Sequence, residues 1–423
     1  MLVWLVACVR TPIEPTPTPA DLGPIARDYV RLILAIGEHE PGYVDAYYGP
    51  PEWAEAEHAA VRPVPALIAD ADRLLASLDA IDPGPGGGLA PIDVRRRAFL
   101  IAHLKAARFR LATVTPAPFR DEAEALFGVR PDPPPLSTYD PLLAKVAAVV
   151  PGEGPLEDRV AAFDARYEIP ADKVEAVMAA AIAECRRRTV AHLALPAGET
   201  FTLERVTGKS WAGYNWYKGH ATSLIQVNTD LPVRVDRAVD LGCHEGYPGH
   251  HTHNVLLEHA LVDGRGWVEL SVYPLYSPMS FVAEGVGNYG ITLAFPGEER
   301  LAFERDVLYP LAGLDPATAA AYAVVGAARK GLDPARIRIA ADYLDGAIDR
   351  ATAVDLVRRT LLVSPARADQ IVSFMDEYRS YVVNYGLGEA AVEAAVESRG
   401  AADAARWAAL GAILSEPTLP SDL

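Results

Sequence analysis

Histidines cluster near the middle of this chain. Half of its ten histidines lie between positions 244 and 259, namely His244, His250, His251, His253 and His259. Imidazole is a common metal ligand and the side chain that most readily exchanges protons near neutral pH. The clustering therefore indicates metal binding or acid–base chemistry.

The spacing of these histidines favours a zinc site on an interrupted helix. In a helical zinc-binding motif, two histidines four residues apart bind the metal and the glutamate after the first acts as general base. Here His244 and His250 are six residues apart, which on a straight helix is about 600° of rotation and about 9 Å of rise. Pro248 must break the helix, because its ring clashes with the carbonyl group four residues back. Gly249 can adopt unusual backbone dihedrals, so we predict that His250 swings back toward His244. His251 remains an alternative second ligand.

A third ligand is expected downstream, since a catalytic zinc usually has three protein ligands and one open position. Glu284 is an acid within the otherwise apolar segment 281–289. A buried carboxylate needs a strong partner, and a metal ion is one. The alternative is that Glu284 lies exposed on its helix.

The run His-Glu-Gly-Tyr-Pro-Gly-His-His at 244–251, followed by Glu284-Gly285, resembles the bacterial domain-of-unknown-function family 885. Members of that family carry a HExxPGH motif, a later Glu-Gly on a helix, and a helical fold similar to gluzincin metallopeptidases. The resemblance extends to segments 41–50, 214–217 and 378–381. Family members usually have a tryptophan after the Glu-Gly, where this chain has Val286. The resemblance implies that His244, His250 and Glu284 bind Zn²⁺ and that Glu245 acts on the water.

Hydrolysis also needs a donor for the developing oxyanion. Tyr378, Tyr381 and Tyr385 recur at helical spacing and would place three phenols on one helix face. The same spacing is equally typical of a core stripe with hydroxyl groups at its edge. Arg379 is a candidate clamp for a substrate carboxylate, or else one half of a surface ion pair. His220 and Tyr289 are further candidates behind these.

The elements that position these residues are mainly α-helical, with a small antiparallel sheet beside the metal-binding helix. Segments 200–204 and Ser223–Asn228 are strand candidates and flank the turn-rich segment 211–219. Ser223–Asn228 could accept an extended peptide along an open strand edge. Apolar residues three and four apart predict helices over 24–40, 66–80, 93–113, 138–150, 155–167, 170–192, 233–247, 251–260, 278–294, 300–330, 350–362, 365–384 and 388–414.

Length and charge limit which partners and how many domains the chain can have. The chain has 423 residues, 50% of them hydrophobic, a formal charge of −17 and a pI near 5.1. An acidic chain offers no basic stripe for phosphates, so we expect no nucleic-acid partner. No linker or repeat divides the sequence after its start, which favours a single helical metallohydrolase domain over 23–423.

Residues 1–22 have the features of a signal remnant and tether. Leu5-Val6-Ala7-Cys8 resembles a bacterial lipobox, and a proline-rich stretch follows it. The basic and longer apolar regions of a full signal are missing, which a translation start upstream of Met1 would explain. We expect a lipid anchor at Cys8 and an extracytoplasmic location at the cell envelope, the alternative being a cytoplasmic protein. Cys185 and Cys243 are expected to be buried thiols rather than a pair.

These observations lead to three hypotheses. The first is a zinc metallopeptidase that cleaves peptide bonds with a zinc-activated water and Glu245 as general base. The second is a zinc-dependent amidase or other hydrolase of a non-peptide substrate. The third is a non-catalytic envelope binding protein with a vestigial metal site, which would have no need of Glu245. The substrate, the position of cleavage and the oligomeric state stay open.

Overall fold

A computed structural model describes residues 21–84, 88–113 and 115–423. The fold is mainly α, as the sequence predicts. Among the described residues no helix is both long and apolar enough to cross a membrane. The helices are α1 (Gly23–Gly37), α2 (Pro51–Ala59), α3 (Val64–Asp79), α4 (Pro91–Ala112), α5 (Phe119–Phe127), α6 (Asp140–Val149), α7 (Leu156–Asp164), α8 (Val174–Val190), α9 (Val235–Leu241), α10 (His250–Leu257), α11 (Pro278–Ala294), α12 (Glu299–Phe303), α13 (Tyr309–Ala312), α14 (Ala319–Leu332), α15 (Ala335–Leu344), α16 (Arg350–Leu361), α17 (Pro365–Tyr378), α18 (Val383–Glu397) and α19 (Asp403–Ser415).

Three long predicted helices are wrong in their continuity: 365–384, which is interrupted after Tyr378, and two that are divided near glycines. The segment 300–330 is divided after α13, where Gly313 takes a left-handed conformation with φ of 76°. The segment 388–414 is divided between α18 and α19, where Gly400 has φ of 115°. Glycine has no Cβ and adopts such dihedrals at little cost, so α13 ends at Gly313. Helix α18 ends at Glu397, and Gly400 lies in the turn that separates it from α19. The short helices α2, α5 and α15 were not predicted.

Two small sheets accompany the helices. Strands β1 (Val44–Tyr47) and β5 (Val272–Pro274) pair antiparallel. Strands β2 (Thr200–Val206), β3 (Gly213–Gly219) and β4 (Thr222–Asn228) form a second sheet in the order β2-β4-β3.

The second sheet confirms the strand predictions for 200–204 and 223–228 and corrects two others. The segment 211–219, expected to be turns, contains β3. Strand β4 is the central strand, parallel to β2 and antiparallel to β3. Its backbone groups are therefore engaged on both sides, and the prediction of Ser223–Asn228 as an open edge is wrong.

The core is organised around α11. Nearly every side chain of this helix is buried, as its apolar sequence predicts. At Gly285 a Cβ would lie 2.4 Å from the carbonyl oxygen of Gly388, so the two glycines allow α11 and α18 to approach closely. Leu22, assigned to the tether, is 2% exposed and packs in this core. The rest of the tether and the lipobox at Cys8 lie outside the described residues.

A disulfide joins Cys185 of α8 to Cys243. The expectation of two buried thiols is wrong. The sequence separation of 58 residues gave no sign of pairing, but α8 packs directly against the turn that contains Cys243. The two Cα atoms are 5.4 Å apart, which is within the range that a disulfide spans.

Candidate metal centre

The motif at 244–250 lies where one helix ends and another begins. Helix α9 continues into a π-helical turn, Gly242–Gly246, and Tyr247 then leaves the helix with extended dihedrals. A second helix, α10, starts at His250. The predicted break at Pro248 is confirmed.

Gly249 has unusual dihedrals at this break, as predicted, with φ of −74° and ψ of −139°, outside the helical and extended regions. A Cβ at this position would also lie 1.8 Å from the carbonyl oxygen of His244 and 2.5 Å from that of Cys243. The absence of a side chain therefore lets the chain fold back tightly against the first half of the motif.

The fold-back brings the potential ligand atoms together. One ligand atom from each of His244, Glu245 and His250 lies within 4.8 Å of the others. The two imidazole rings are nearly perpendicular, with centroids 4.6 Å apart. Glu284 of α11 reaches both histidines: its Oε2 lies 3.2 Å from Nε2 of His244 and its Oε1 lies 3.8 Å from Nε2 of His250.

Neighbouring side chains orient these groups. Nδ1 of His244 lies 3.1 Å from Oδ1 of Asn288, one helical turn after Glu284. If Nδ1 donates to this amide oxygen, the lone pair of Nε2 points to the other ligands, the arrangement that metal-binding histidines usually have. The hydroxyl of Tyr381 donates to Oε1 of Glu284 over 2.8 Å.

The donor set suits zinc. Two imidazole nitrogens and one carboxylate form a common ligand set for catalytic zinc. Glu284 is buried, and its Oε2 accepts no hydrogen bond in the structure. A buried carboxylate oxygen without such a partner is costly, and a metal ion between the three side chains would satisfy it.

Burial and charge shift the acidities of these groups in the metal-free arrangement. Burial alone would lower the pKa of His244, but the carboxylate of Glu284, 3.2 Å from Nε2, and the negative charge of Glu245 raise that pKa to about 9. Burial and the charge of His244 lower the pKa of His250 to about 4. Burial raises the pKa of Glu245 to about 7. Burial would raise the pKa of Glu284 as well, but the two histidines keep that pKa below its usual value.

His251, the alternative ligand, is engaged elsewhere. Its Nδ1 lies 2.8 Å from Oγ of Ser223 and its Nε2 lies 3.0 Å from Oε2 of Glu199. Both ring nitrogens are therefore used in a buried network between α10 and the sheet. The structure thus brings His250, and not His251, to His244. His253 is buried, and burial lowers its pKa to about 3, whereas His259 is exposed.

The three predicted phenols form a row, but not on one continuous helix. Helix α17 ends at Tyr378, and a 3-10 turn, Arg379–Val382, precedes α18. The rings of Tyr378, Tyr381 and Tyr385 still contact in sequence, with centroids 6.1 and 6.0 Å apart. Tyr385 lies against His244, with ring centroids 6.5 Å apart, and burial raises its phenol pKa well above the usual value.

Arg379 and the two further candidates, Tyr289 and His220, are placed away from the metal ligands. Nε of Arg379 donates to Glu122 over 2.9 Å, and another of its nitrogens donates to the carbonyl oxygen of Ala117. Its guanidinium is thus held in a structural ion pair rather than offered to a substrate carboxylate. The hydroxyl of Tyr289 donates to Glu397. His220 is exposed at the turn between β3 and β4.

The structure adds residues that the sequence analysis did not select. Asn288 could have been found, since it follows Glu284 by four residues and therefore lies on the same helix face. Asn215 of β3 donates from its amide to the carbonyl oxygen of Glu245 over 2.7 Å. Asp45 and Tyr214 are joined by a hydrogen bond of 2.5 Å. The last three residues lie in segments 41–50 and 214–217, to which the resemblance extends, but no local spacing connects them to the motif.

Comparison with known proteins gives a likeness in fold. No protein-family model matches the chain, and no curated protein matches it. A solved structure described as "the putative lipoprotein from Colwellia psychrerythraea" aligns over 96% of this chain and 75% of its own, with 12% identity and a TM-score of 0.52. This likeness shows a shared fold. An M32 carboxypeptidase from Deinococcus radiodurans R1 aligns over 92% of this chain and 88% of its own, with 15% identity. Its TM-score is 0.36.

Proposed function

We propose that this protein is a zinc-dependent hydrolase, that its substrates are peptides, and that it is a divergent member of the domain-of-unknown-function family 885. One observation carries the proposal. The fold-back at Gly249 and the approach of α11 bring His244, His250 and Glu284 together, with the carboxylate of Glu245 beside them.

The zinc ligands and Glu245 would have different roles in hydrolysis. A zinc ion held by His244, His250 and Glu284 would polarise a substrate carbonyl and lower the pKa of a water molecule to about 7. Glu245 would accept a proton from the attacking water and return it to the leaving nitrogen.

Two tyrosines have separate tasks in this scheme. The hydroxyl of Tyr385 has no hydrogen-bond partner among the residues that the structure describes, and burial keeps it protonated. It is the better donor for the oxyanion that develops on the substrate. Tyr381 already donates to Glu284 and therefore acts as a positioning residue for that ligand.

Glu245 favours an enzyme over a binding protein. It is 4% exposed and buried beside Glu284, an arrangement that is costly for two carboxylates unless a cation or a shared proton offsets their repulsion. A site that only held a metal would not need this second acid. A hydrolase of non-peptide amides would use the same groups, so the identity of the substrate must come from experiment.

The test is hydrolysis of a defined peptide library beside a set of small acyl amides. The metal-free protein, the zinc-loaded protein and the zinc-loaded protein treated with a chelator are compared by mass spectrometry of the products. We expect cleavage of peptides that appears with zinc and disappears with the chelator. Cleavage confined to the acyl amides would replace peptides as the substrate class. Absence of zinc-dependent cleavage in both sets would overturn the hydrolase.

We also propose that the protein acts outside the cytoplasm, anchored through Cys8. The Cys185–Cys243 disulfide supports an oxidising compartment, because such bonds are rare where thiols are kept reduced. The solved structure that shares this fold is described as a "putative lipoprotein". Expression with an upstream start, followed by detergent-phase partitioning, tests the anchor. We expect the wild type in the detergent phase and Cys8→Ala in the aqueous phase, while an aqueous wild type would refute the anchor.

A further inference from the structure

A carboxylate that the hydrolytic scheme does not use lies beside the metal centre. Asp45 sits on β1 and is half-buried. The hydroxyl of Tyr214, on β3, donates to its Oδ1 over 2.5 Å. This hydrogen bond fixes the direction of the carboxylate and leaves Oδ2 available.

The partner of Asp45 belongs to the segment that contacts the general base. At Gly213, directly before Tyr214, a Cβ would lie 2.7 Å from Oε1 of Glu245. On the other side of Tyr214, the amide of Asn215 donates to the backbone of Glu245. Asp45 is also close enough for its negative charge to contribute to raising the pKa of Glu245. It therefore lies within electrostatic range of the general base and of the ligand Glu284.

Several carboxylates in the interior are paired with a cation, whereas Asp45 is not. Glu269 is paired with Arg96 over 2.9 Å, and Glu122 with Arg379 over the same distance. Within the described parts of the chain, no lysine, arginine or histidine nitrogen lies within 4 Å of the Asp45 carboxylate. Burial raises the pKa of Asp45 to about 6, so it is mostly ionised at pH 7.5 and still lacks a counter-charge. A desolvated anion of this kind is stabilised by a cation that arrives with the ligand.

We propose that Asp45, oriented by Tyr214, binds the ammonium group of the substrate and so determines which peptides are accepted. This inference rests on the proposed peptidase function. The ammonium group could be the free amino terminus of a peptide or the side chain of a lysine. An amino terminus held this close to Glu245 would restrict cleavage to bonds near that end.

The experiment measures binding separately from hydrolysis. Zinc-loaded Glu245→Gln protein is incubated with three pools of tetrapeptides: lysine-free with a free amino terminus, lysine-free with an acetylated terminus, and acetylated with one lysine. Protein-bound peptides are separated by gel filtration and counted by mass spectrometry. The same measurement is made with Asp45→Asn and with the control Asp79→Asn, each in the Glu245→Gln background, since the Asp79 side chain is 72% exposed.

We expect the free-terminus pool to be enriched over the acetylated pool by about 10- to 100-fold, the effect of one charge-assisted hydrogen bond. Asp45→Asn should abolish the enrichment, because asparagine keeps an acceptor for Tyr214 but loses the charge. Asp79→Asn should keep it. Enrichment of the lysine pool instead would assign the site to a lysine side chain. Equal retention of all three pools, or retention of none, would overturn the inference. Failure of the peptidase proposal is seen independently, as absence of zinc-dependent cleavage by the wild type.

Discussion

Oε2 of Glu284 lies 3.2 Å from Nε2 of His244, although the two residues are 40 positions apart and belong to different helices. The contact depends on Gly287 of α11, where a Cβ would lie 2.7 Å from Nδ1 of His244. A side chain at this position would push the imidazole away from the carboxylate. The distance between the two potential ligands is thus set by the small residues of α11 as much as by the motif itself.

We predict that the purified protein binds about one zinc ion per chain and that His244→Ala, His250→Ala and Glu284→Ala each lose it. Each variant removes one of three protein ligands. Elemental analysis by mass spectrometry after dialysis gives the stoichiometry. His251→Gln is the matched control and should retain zinc, because His251 is held by Ser223 and Glu199. Undiminished zinc in any alanine variant would remove that residue from the ligand set.

Glu245→Gln should keep zinc and folding but lose at least about 100-fold in turnover. Glutamine preserves the shape of the side chain but cannot take up the proton, and general acid–base groups contribute about 10²- to 10⁴-fold in rate. Turnover of the best library peptide and zinc content are measured on the same preparation, with the exposed Glu175→Gln as control. Loss of zinc would make Glu245 a ligand, and full activity would place proton transfer elsewhere.

Gly249→Ala should reduce zinc binding strongly, because the added methyl group would collide with the backbone carbonyl groups of Cys243 and His244. The chain would then have to open at the point where it folds back. Gly326→Ala in α14 is the control, since a Cβ there meets nothing within 4 Å. We expect this second change to leave zinc unchanged and to stabilise the protein by up to about 1 kcal/mol. Normal zinc affinity in Gly249→Ala would show that the fold-back is not needed.

Reduction of the Cys185–Cys243 bond should lower the unfolding midpoint. The disulfide closes a loop of 58 residues, for which chain-entropy arguments give a stabilisation of about 4 kcal/mol. Thermal unfolding is compared with and without a reductant in the wild type and in Cys185→Ser/Cys243→Ser. The double variant should unfold at the temperature of the reduced wild type, both with and without the reductant. A reductant that exposes two thiols without moving the wild-type midpoint would contradict the prediction.

Stability should fall when the pH is lowered from about 6.5 toward about 4, in part because of His103. Burial lowers the pKa of His103 to about 4, and its Nε2 has no hydrogen-bond partner in the structure. The unfolded chain therefore binds a proton in this range that the folded chain rejects, and the contribution of His103 to stability is greatest above pH 6.5. The full contribution is about 3 kcal/mol at most.

The measurement is the unfolding free energy of wild type and His103→Gln at pH 7.5 and pH 5. The variant should lose less stability on acidification than the wild type does. His58→Gln serves as control, because the His58 side chain is 80% exposed. Its loss of stability between pH 7.5 and pH 5 should match that of the wild type. Equal losses in wild type and His103→Gln would exclude His103 as a source of the pH dependence.

The sequence was most informative where chemistry and backbone constraints coincide. Pro248 cannot continue a helix, so the break between His244 and His250 followed from covalent structure alone. The strands at 200–204 and 223–228 were also found, because β-branched residues alternate there. Which of two adjacent histidines lies with His244 could not be predicted from the sequence in the same way. His250 and His251 are adjacent, and only the three-dimensional position of Glu199 and Ser223 shows which of them is engaged elsewhere.

Other features were missed because they depend on contacts between distant segments. Nothing near Arg379 in sequence indicates that Glu122 pairs with it. Strand β3 was assigned to turns because its glycines and aromatic residues give a weak local signal, and pairing with β4 decides its conformation. Cys185 and Cys243 lie 58 residues apart, and their proximity follows only from the packing of α8 against the π-helical turn.

The side chains that converge on the centre come from β1, β3, the helices on either side of the fold-back, α11 and the start of α18. This dispersion means that the site cannot be isolated as a minimal fragment. A truncation that removed either the first strand or the last helices would delete a participant. Because a ligand that binds only the folded state adds its binding energy to stability, loss of zinc should lower the unfolding midpoint of the whole chain. Substitutions far from the centre should weaken metal retention only when they destabilise the chain enough to populate the unfolded state.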